Sequence, residues 1–142
     1  MKIAVFVSGR GSNLNAILNS PDLINLVEVI AVVSDKIDCK AFTIAKKFGI
    51  KTFTVGVGEG KINQNEITSV LNNLGVNFIV LAGYLKLIPN ELVEYFENRI
   101  MEAVYGKDYA DMLQVLEYEG LVETVKEFGA TSPDTHLKLK LE

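Results

Sequence analysis

Through the first hundred residues, short apolar runs rich in β-branched side chains alternate with segments whose apolar positions recur at helical spacing. This alternation marks βαβ units around a parallel sheet, because strands covered by helices on both faces read as continuous apolar runs. The pattern predicts a first strand at Ile3–Val7, a first helix with its core at Leu14–Leu18, and a second strand at Val27–Val33. A second helix over Lys40–Phe48 closes at Gly49, where a helix C-terminus favours glycine, and Thr52–Val55 follows as a short third strand. A helix over Gln64–Leu74 ends at Gly75, and Phe78–Leu81 is a fourth strand. Pro89 then opens a helix over Asn90–Phe96, since proline suits the first turn.

Beyond Ile100 the pattern is less regular. Ala110, Leu113, Leu116, Leu121, Val125 and Phe128 recur near helical spacing, interrupted at Gly120 and stopped by Gly129, which suits two helices or one broken helix. His136-Leu137-Lys138-Leu139-Lys140-Leu141 alternates polar and apolar side chains strictly, as a half-exposed strand at a sheet edge does, with lysines guarding the edge. Leu141 and Glu142 at the end are assigned no function. The expected architecture is a Rossmann-like, doubly wound α/β domain with a mostly parallel sheet of four or five strands and helices on both faces. Residues 1–142 are read as one domain, in line with the usual domain size of roughly 100–200 residues.

Composition narrows the classes of function. The apolar set makes up 49% of the 142 residues, enough for a real core and too much for a disordered or collagen-like chain. The net charge is −4, whereas a nucleic-acid partner calls for a basic face. That charge is unevenly placed. Residues 1–100 carry 10 Lys/Arg against 9 Asp/Glu, and residues 101–142 carry 4 against 9, so the net charges are +1 and −5. A lone Cys39 leaves no partner for an intramolecular disulfide and no multi-cysteine metal site. The apolar start Ile3–Val7 is too short for a signal peptide or a membrane span, so a cytoplasmic location without membrane contact is expected.

The strongest local signal is the first strand running through Ser8-Gly9-Arg10-Gly11-Ser12-Asn13-Leu14 into a helix. Glycines permit a tight turn, and a helix N-terminus offers unpaired N–H groups at the positive end of its dipole, which together suit an anion. The same residues also serve a plain strand-to-helix turn, with Ser12 or Asn13 capping the helix. A dinucleotide site is a rival reading, because Gly9-x-Gly11 is half of G-x-G-x-x-G and Asp35 follows the second strand where a ribose-binding acid belongs. Leu14 occupies the third glycine position and opposes it. Past the fourth strand, Leu81-Ala82-Gly83-Tyr84-Leu85-Lys86-Leu87-Ile88-Pro89 should face the same crevice at the carboxyl ends of the strands. Leu85, Leu87 and Ile88 would there either line a slot for a flat ring or simply cover the sheet.

Residues 1–100 resemble the amino-terminal half of the phosphoribosylglycinamide formyltransferases, the folate-dependent enzymes that formylate glycinamide ribonucleotide in purine synthesis. The resemblance is carried by Ser8-Gly9-Arg10-Gly11-Ser12-Asn13-Leu14, Val32-Val33-Ser34, Val80-Leu81-Ala82-Gly83-Tyr84 and Tyr95-Phe96-Glu97-Asn98-Arg99-Ile100, in order and at matching spacing. It implies that Gly11, Ser12 and Asn13 hold the ribonucleotide phosphate. It also implies that Leu85, Lys86, Leu87 and Ile88 border the pterin pocket of 10-formyltetrahydrofolate, a cosubstrate and not a tightly held cofactor. No metal is implied.

The departure from the family is as specific as the match. After the Arg-Ile that Arg99-Ile100 reproduces, the family carries Asn-x-His-Pro, whose Asn and His serve catalysis, whereas this chain reads Met101-Glu102-Ala103-Val104-Tyr105. The family's later catalytic Asp is not recognisable, and Thr135-His136-Leu137 is only a faint echo of its Thr-Val-His strand. Acyl transfer to an amine needs a donor for the oxyanion and a group that takes the proton from nitrogen. His136, Glu102 and Asp134 are the arguable substitutes, and a carboxylate at 102 would repel the developing oxyanion. No catalytic residue is therefore assigned.

Three readings follow. The first is a truncated or chimeric formyltransferase-like domain that keeps the phosphate loop without efficient transfer. The second is a structural scaffold in which residues 1–100 are joined to a divergent or grafted acidic segment, 101–142. The third is a nucleotide-binding α/β module using Asp35. A phosphorylated small molecule, glycinamide ribonucleotide by resemblance, is the expected partner. A homodimer is also expected, because the segment around Val115, Leu116, Leu121, Val125 and Phe128 can reach a second copy.

Overall fold

The computed structural model describes residues 1–21, 23–97, 99–103 and 137–139. Its strands are β1 (Lys2–Val7), β2 (Glu28–Ser34), β3 (Lys51–Thr54), β4 (Phe78–Ala82), β5 (Ile100–Ala103) and β6 (Leu137–Leu139). Four helices connect the first five strands: α1 (Ser12–Leu18), α2 (Ala41–Lys47), α3 (Ile67–Asn73) and α4 (Asn90–Tyr95). The sheet order is β3-β2-β1-β4-β5-β6. Strands β1 to β5 pair in parallel, and β6 pairs antiparallel with β5 through Met101↔Leu139, Glu102↔Lys138 and Ala103↔Leu137.

Period-two side-chain geometry explains how one strand serves two cores. On β1, Ile3, Val5 and Val7 pack into one cluster with Leu14 and Ile17 of α1 and Ala41, Phe42 and Ala45 of α2. Ala4 and Phe6 turn the other way, into a cluster with Ile67 and Leu71 of α3 and Leu92 of α4. Strand β4 divides likewise, with Phe78, Val80 and Ala82 on the first side and Ile79 and Leu81 on the second. The sheet is thus doubly wound, with α1 and α2 on one face and α3 and α4 on the other. The strand order reverses between β1 and β4, where crevices form at the carboxyl ends of such sheets.

Every element expected within residues 1–100 is present, with shifts at the ends. Helix α3 begins at Ile67, three residues later than the spacing predicts, because the Asn63 side chain takes the Asn65 N–H at 2.8 Å and forms a separate turn first. Pro89 is extended, with φ −66° and ψ 150°, and lies just before α4 instead of inside its first turn. Gly49 is left-handed at φ 70°, immediately after the α2 C-cap Phe48, where the carbonyls of the last turn need N–H partners. Among the described residues the sheet has six strands, against the four or five expected. Strand β5 was not legible because Ile-Met-Glu-Ala has no alternation, and pairing with β4 makes it a strand. The alternating segment His136–Leu141 contains the edge strand β6, while the helical spacing over 110–128 lies outside the described residues.

Candidate functional site

The candidate site lies where β1, β2 and β4 end side by side. The β1–β2 register sets Val7 opposite Ser34, which brings Ser8 beside Asp35. Ser8 is only 3% exposed, and its Oγ donates to Asp35 Oδ1 at 2.7 Å. The same oxygen accepts the Leu85 N–H at 2.9 Å. Lys61 Nζ donates to the Asp35 carbonyl at 3.1 Å, so the loop after β3 joins the group. Cys39 is buried, and its Sγ donates to the Gly9 carbonyl at 3.2 Å, fixing the glycine turn to the segment before α2.

Gly11 is the N-cap of α1, left-handed at φ 90°. A Cβ there would lie 2.7 Å from Ala41 Cβ and 2.9 Å from its Cα, so glycine is required both by conformation and by the approach of α2. The Gly11 carbonyl accepts the Asn15 N–H at 2.8 Å and starts the helix. No side chain caps α1, which corrects the expectation that Ser12 or Asn13 does so: both lie inside the helix, where their backbone is helical and cannot serve as the cap. The N–H groups of the first turn therefore have neither an intrahelical acceptor nor a capping side chain.

Leu14, at the third glycine position of the dinucleotide pattern, is buried in the first core cluster. Its side chain fills the space that close helix–strand approach would need. Asp35 is half-buried and engaged by Ser8, so one carboxylate oxygen already ties two strand ends together. These two facts remove the geometric support for a dinucleotide site.

The β4–α4 loop divides the apolar residues singled out in it. Leu85 is 77% and Leu87 91% exposed, and Lys86 between them is exposed as well. Ile88 instead packs against the second core cluster, together with Tyr84. The sheet-covering role thus falls to Ile88, and Leu85, Lys86 and Leu87 form an open rim. The Tyr84 ring meets Phe6 edge-on at 5.3 Å between centroids. Burial, and secondarily the Asp35 carboxylate, push the Tyr84 hydroxyl up to about 12.

Ser8 and Tyr84 lie in the sequence motifs but have no role that residue type alone reveals, and Lys61 belongs to no motif. The signal for Ser8 was available: in parallel neighbours, a hydroxyl and a carboxylate each directly after its strand are brought together. Among the described residues no group of His, Cys, Asp and Glu is placed to hold a metal, and no helix is long and apolar enough to cross a membrane.

A doubly wound α/β domain with a glycine turn and an uncapped helix N-terminus at its switch point is a domain of the Rossmann type. Comparison with known proteins narrows the class. The formyl transferase family model matches residues 1–103, and the chain belongs to that family. It is 40% identical over 106 residues to the chloroplastic phosphoribosylglycinamide formyltransferase of Arabidopsis thaliana, covering 70% of this chain and 36% of that protein. Against the phosphoribosylglycinamide formyltransferase of Haemophilus influenzae the identity is 33% over 105 residues, covering 70% of this chain and 49% of the other. The crystal structure of glycinamide ribonucleotide transformylase 1 from Symbiobacterium toebii superposes with a TM-score of 0.63 at 27% identity, covering 73% of this chain and 51% of that one. The chain thus spans about half the length of these relatives or less.

Two outcomes follow from this geometry. Gly11→Ala should destabilise the fold by several kcal/mol, from roughly 1–3 kcal/mol of left-handed strain and about 1–3 kcal/mol of overpacking against Ala41. Urea unfolding measures it, and an unchanged midpoint would contradict the contact. The Tyr84 hydroxyl also predicts an alkaline loss of stability. The unfolded chain gives up this proton at the ordinary tyrosine value of about 10 and the folded chain only at about 12, so the contribution is complete below about 10 and lost as pH rises through about 12. Tyr84→Phe should flatten that part of the stability–pH profile, and an unaltered slope would show that the hydroxyl is not shielded.

Proposed function

We propose that the chain is a cytoplasmic domain that binds a phosphorylated ribonucleotide, glycinamide ribonucleotide by kinship, at the backbone N–H groups of Gly11, Ser12 and Asn13. The observation that carries this reading is the uncapped first turn of α1, held at the switch point by a glycine that nothing larger can replace. An anion there completes N–H groups that the protein leaves open, and the helix dipole adds about 0.3–1 kcal/mol. The family match over residues 1–103 and the two formyltransferases named above supply the substrate class. As cosubstrate, 10-formyltetrahydrofolate would meet the rim of Leu85, Lys86 and Leu87, with Ile88 behind it as packing.

The same reading assigns the chain no efficient formyl transfer of its own. Glu102 and Val104 stand where the resemblance to the family calls for the catalytic Asn and His. Glu102 lies on β5, paired with Leu81 of β4 and Lys138 of β6. Losing one oxyanion donor typically costs roughly 100–1000-fold in turnover, and a carboxylate in its place adds repulsion. The homodimer expected from the apolar positions 115–128 belongs to this reading too.

Titration of the isotopically labelled chain with glycinamide ribonucleotide should move the amide signals of Gly9–Leu14, and silence there at millimolar ligand would refute the site. An absorbance assay for the folate product, with both substrates at high concentration, should show no turnover. Activity that disappears in His136→Ala would overturn that half of the reading. Light scattering across a concentration series should give twice the 15.6 kDa chain mass. A monomer at every concentration would contradict the dimer.

A further inference from the structure

The hydroxyl of Ser8 joins the ends of three strands, yet no step of the proposed binding uses it. It is buried at the end of β1, donates to Asp35 after β2, and accepts from the backbone of Leu85 after β4. A hydroxyl that donates to a carboxylate becomes a better acceptor for a second bond, so the two contacts strengthen each other. Leu85 is 77% exposed as a residue, yet its N–H is bonded to the buried Ser8 hydroxyl. The Asp35 main chain is fixed in turn by Lys61 and by the turn in which Ser34 Oγ accepts the Lys36 N–H at 3.1 Å.

We propose that Ser8 and Asp35 are positioning residues that lock the glycine turn of β1–α1 to the β4–α4 loop, so that an anion bound at the turn is registered at Leu85. This rests on the phosphate-site reading given above. Ser8 opens the turn whose N–H groups would receive the anion, and Leu85 opens the rim that would receive the second substrate. A rigid link between them sets the separation of the two ligands. Proximity catalysis is sensitive to displacements of this scale. Asp35, read from the sequence as a contact to ribose, thereby acts through Ser8.

The test follows the Leu85 amide in the full chain. Without ligand, Leu85 N–H should exchange slowly with solvent despite its place in an exposed loop, and Ser8→Ala should bring it to the rate of a free loop amide. With glycinamide ribonucleotide, the Leu85 signal should shift along with Gly9–Asn13 in the unmodified chain. In Ser8→Ala the turn should still shift while the Leu85 response is lost. Asp35→Asn, which keeps an acceptor for the hydroxyl, should retain the response, and Asp35→Ala should lose it. If Ser8→Ala does not fold, the two Asp35 variants decide the question, since that residue is only half-buried. Fast exchange of Leu85 in the unmodified chain, or an equal Leu85 response in all variants, would overturn the link. No shift at Gly9–Asn13 with a protected, Ser8-dependent Leu85 amide would instead refute the phosphate site and leave the positioning role standing.

Discussion

The contact between Gly11 and Ala41 is the constraint on which the site depends. Missing one carbon atom at residue 11 allows α1 to begin immediately beside α2, with a would-be Cβ only 2.7 Å from Ala41 Cβ. From there Leu14 and Ile17 reach the first core cluster, and Ala41 and Ala45 keep the facing helix slim enough to share it. The turn that achieves this packing also leaves the first N–H groups of α1 without a capping side chain. Packing and the proposed anion site therefore depend on the same glycine.

The two-sided core gives this turn a rigid base. Strands β1 and β4 are buried on both faces and pair in register from Ile3↔Phe78 to Phe6↔Leu81. Their carboxyl ends can therefore shift little relative to one another. What differs from a dinucleotide-binding domain is local. Leu14 replaces a glycine with a buried side chain, and Asp35 turns its carboxylate to Ser8. What remains is an uncapped first turn of α1 and an exposed apolar rim at Leu85 and Leu87, the two features on which the proposed binding of a phosphorylated substrate beside a larger flat one rests.

How much was legible in the sequence depends on where each feature gets its information. Strands β1, β2 and β4 and helices α1 and α2 are specified by their own apolar runs and periods, and the spacing located them to within a residue or two at most ends. Strand β5 was missed because Ile100–Ala103 has no local pattern, and the hydrogen-bonding edge of β4 makes it a strand. The start of α3 was misjudged because one asparagine side chain competes for backbone N–H groups. At the site, the glycine turn was plain from residue types, but its cap was not, since the choice of Gly11 over Ser12 as N-cap is fixed by the approach of α2. Ser8 was overlooked because its partners are 27 and 77 residues away, and only the strand order brings them together.

Membership of the formyl transferase family gives this geometry a chemical context. The match ends at residue 103, where β5 ends. In the proposed reading, substrate capture would draw on the glycine turn, and the residues that follow Ile100 would decide whether formyl transfer can occur. A crystal structure of the full chain with glycinamide ribonucleotide tests this most directly. The expected result is a phosphate whose oxygens lie about 2.7–3.2 Å from the backbone nitrogens of Gly11, Ser12 and Asn13, with the Ser8–Asp35 and Ser8–Leu85 bonds intact. A ribonucleotide whose phosphate sits away from this turn would contradict the account.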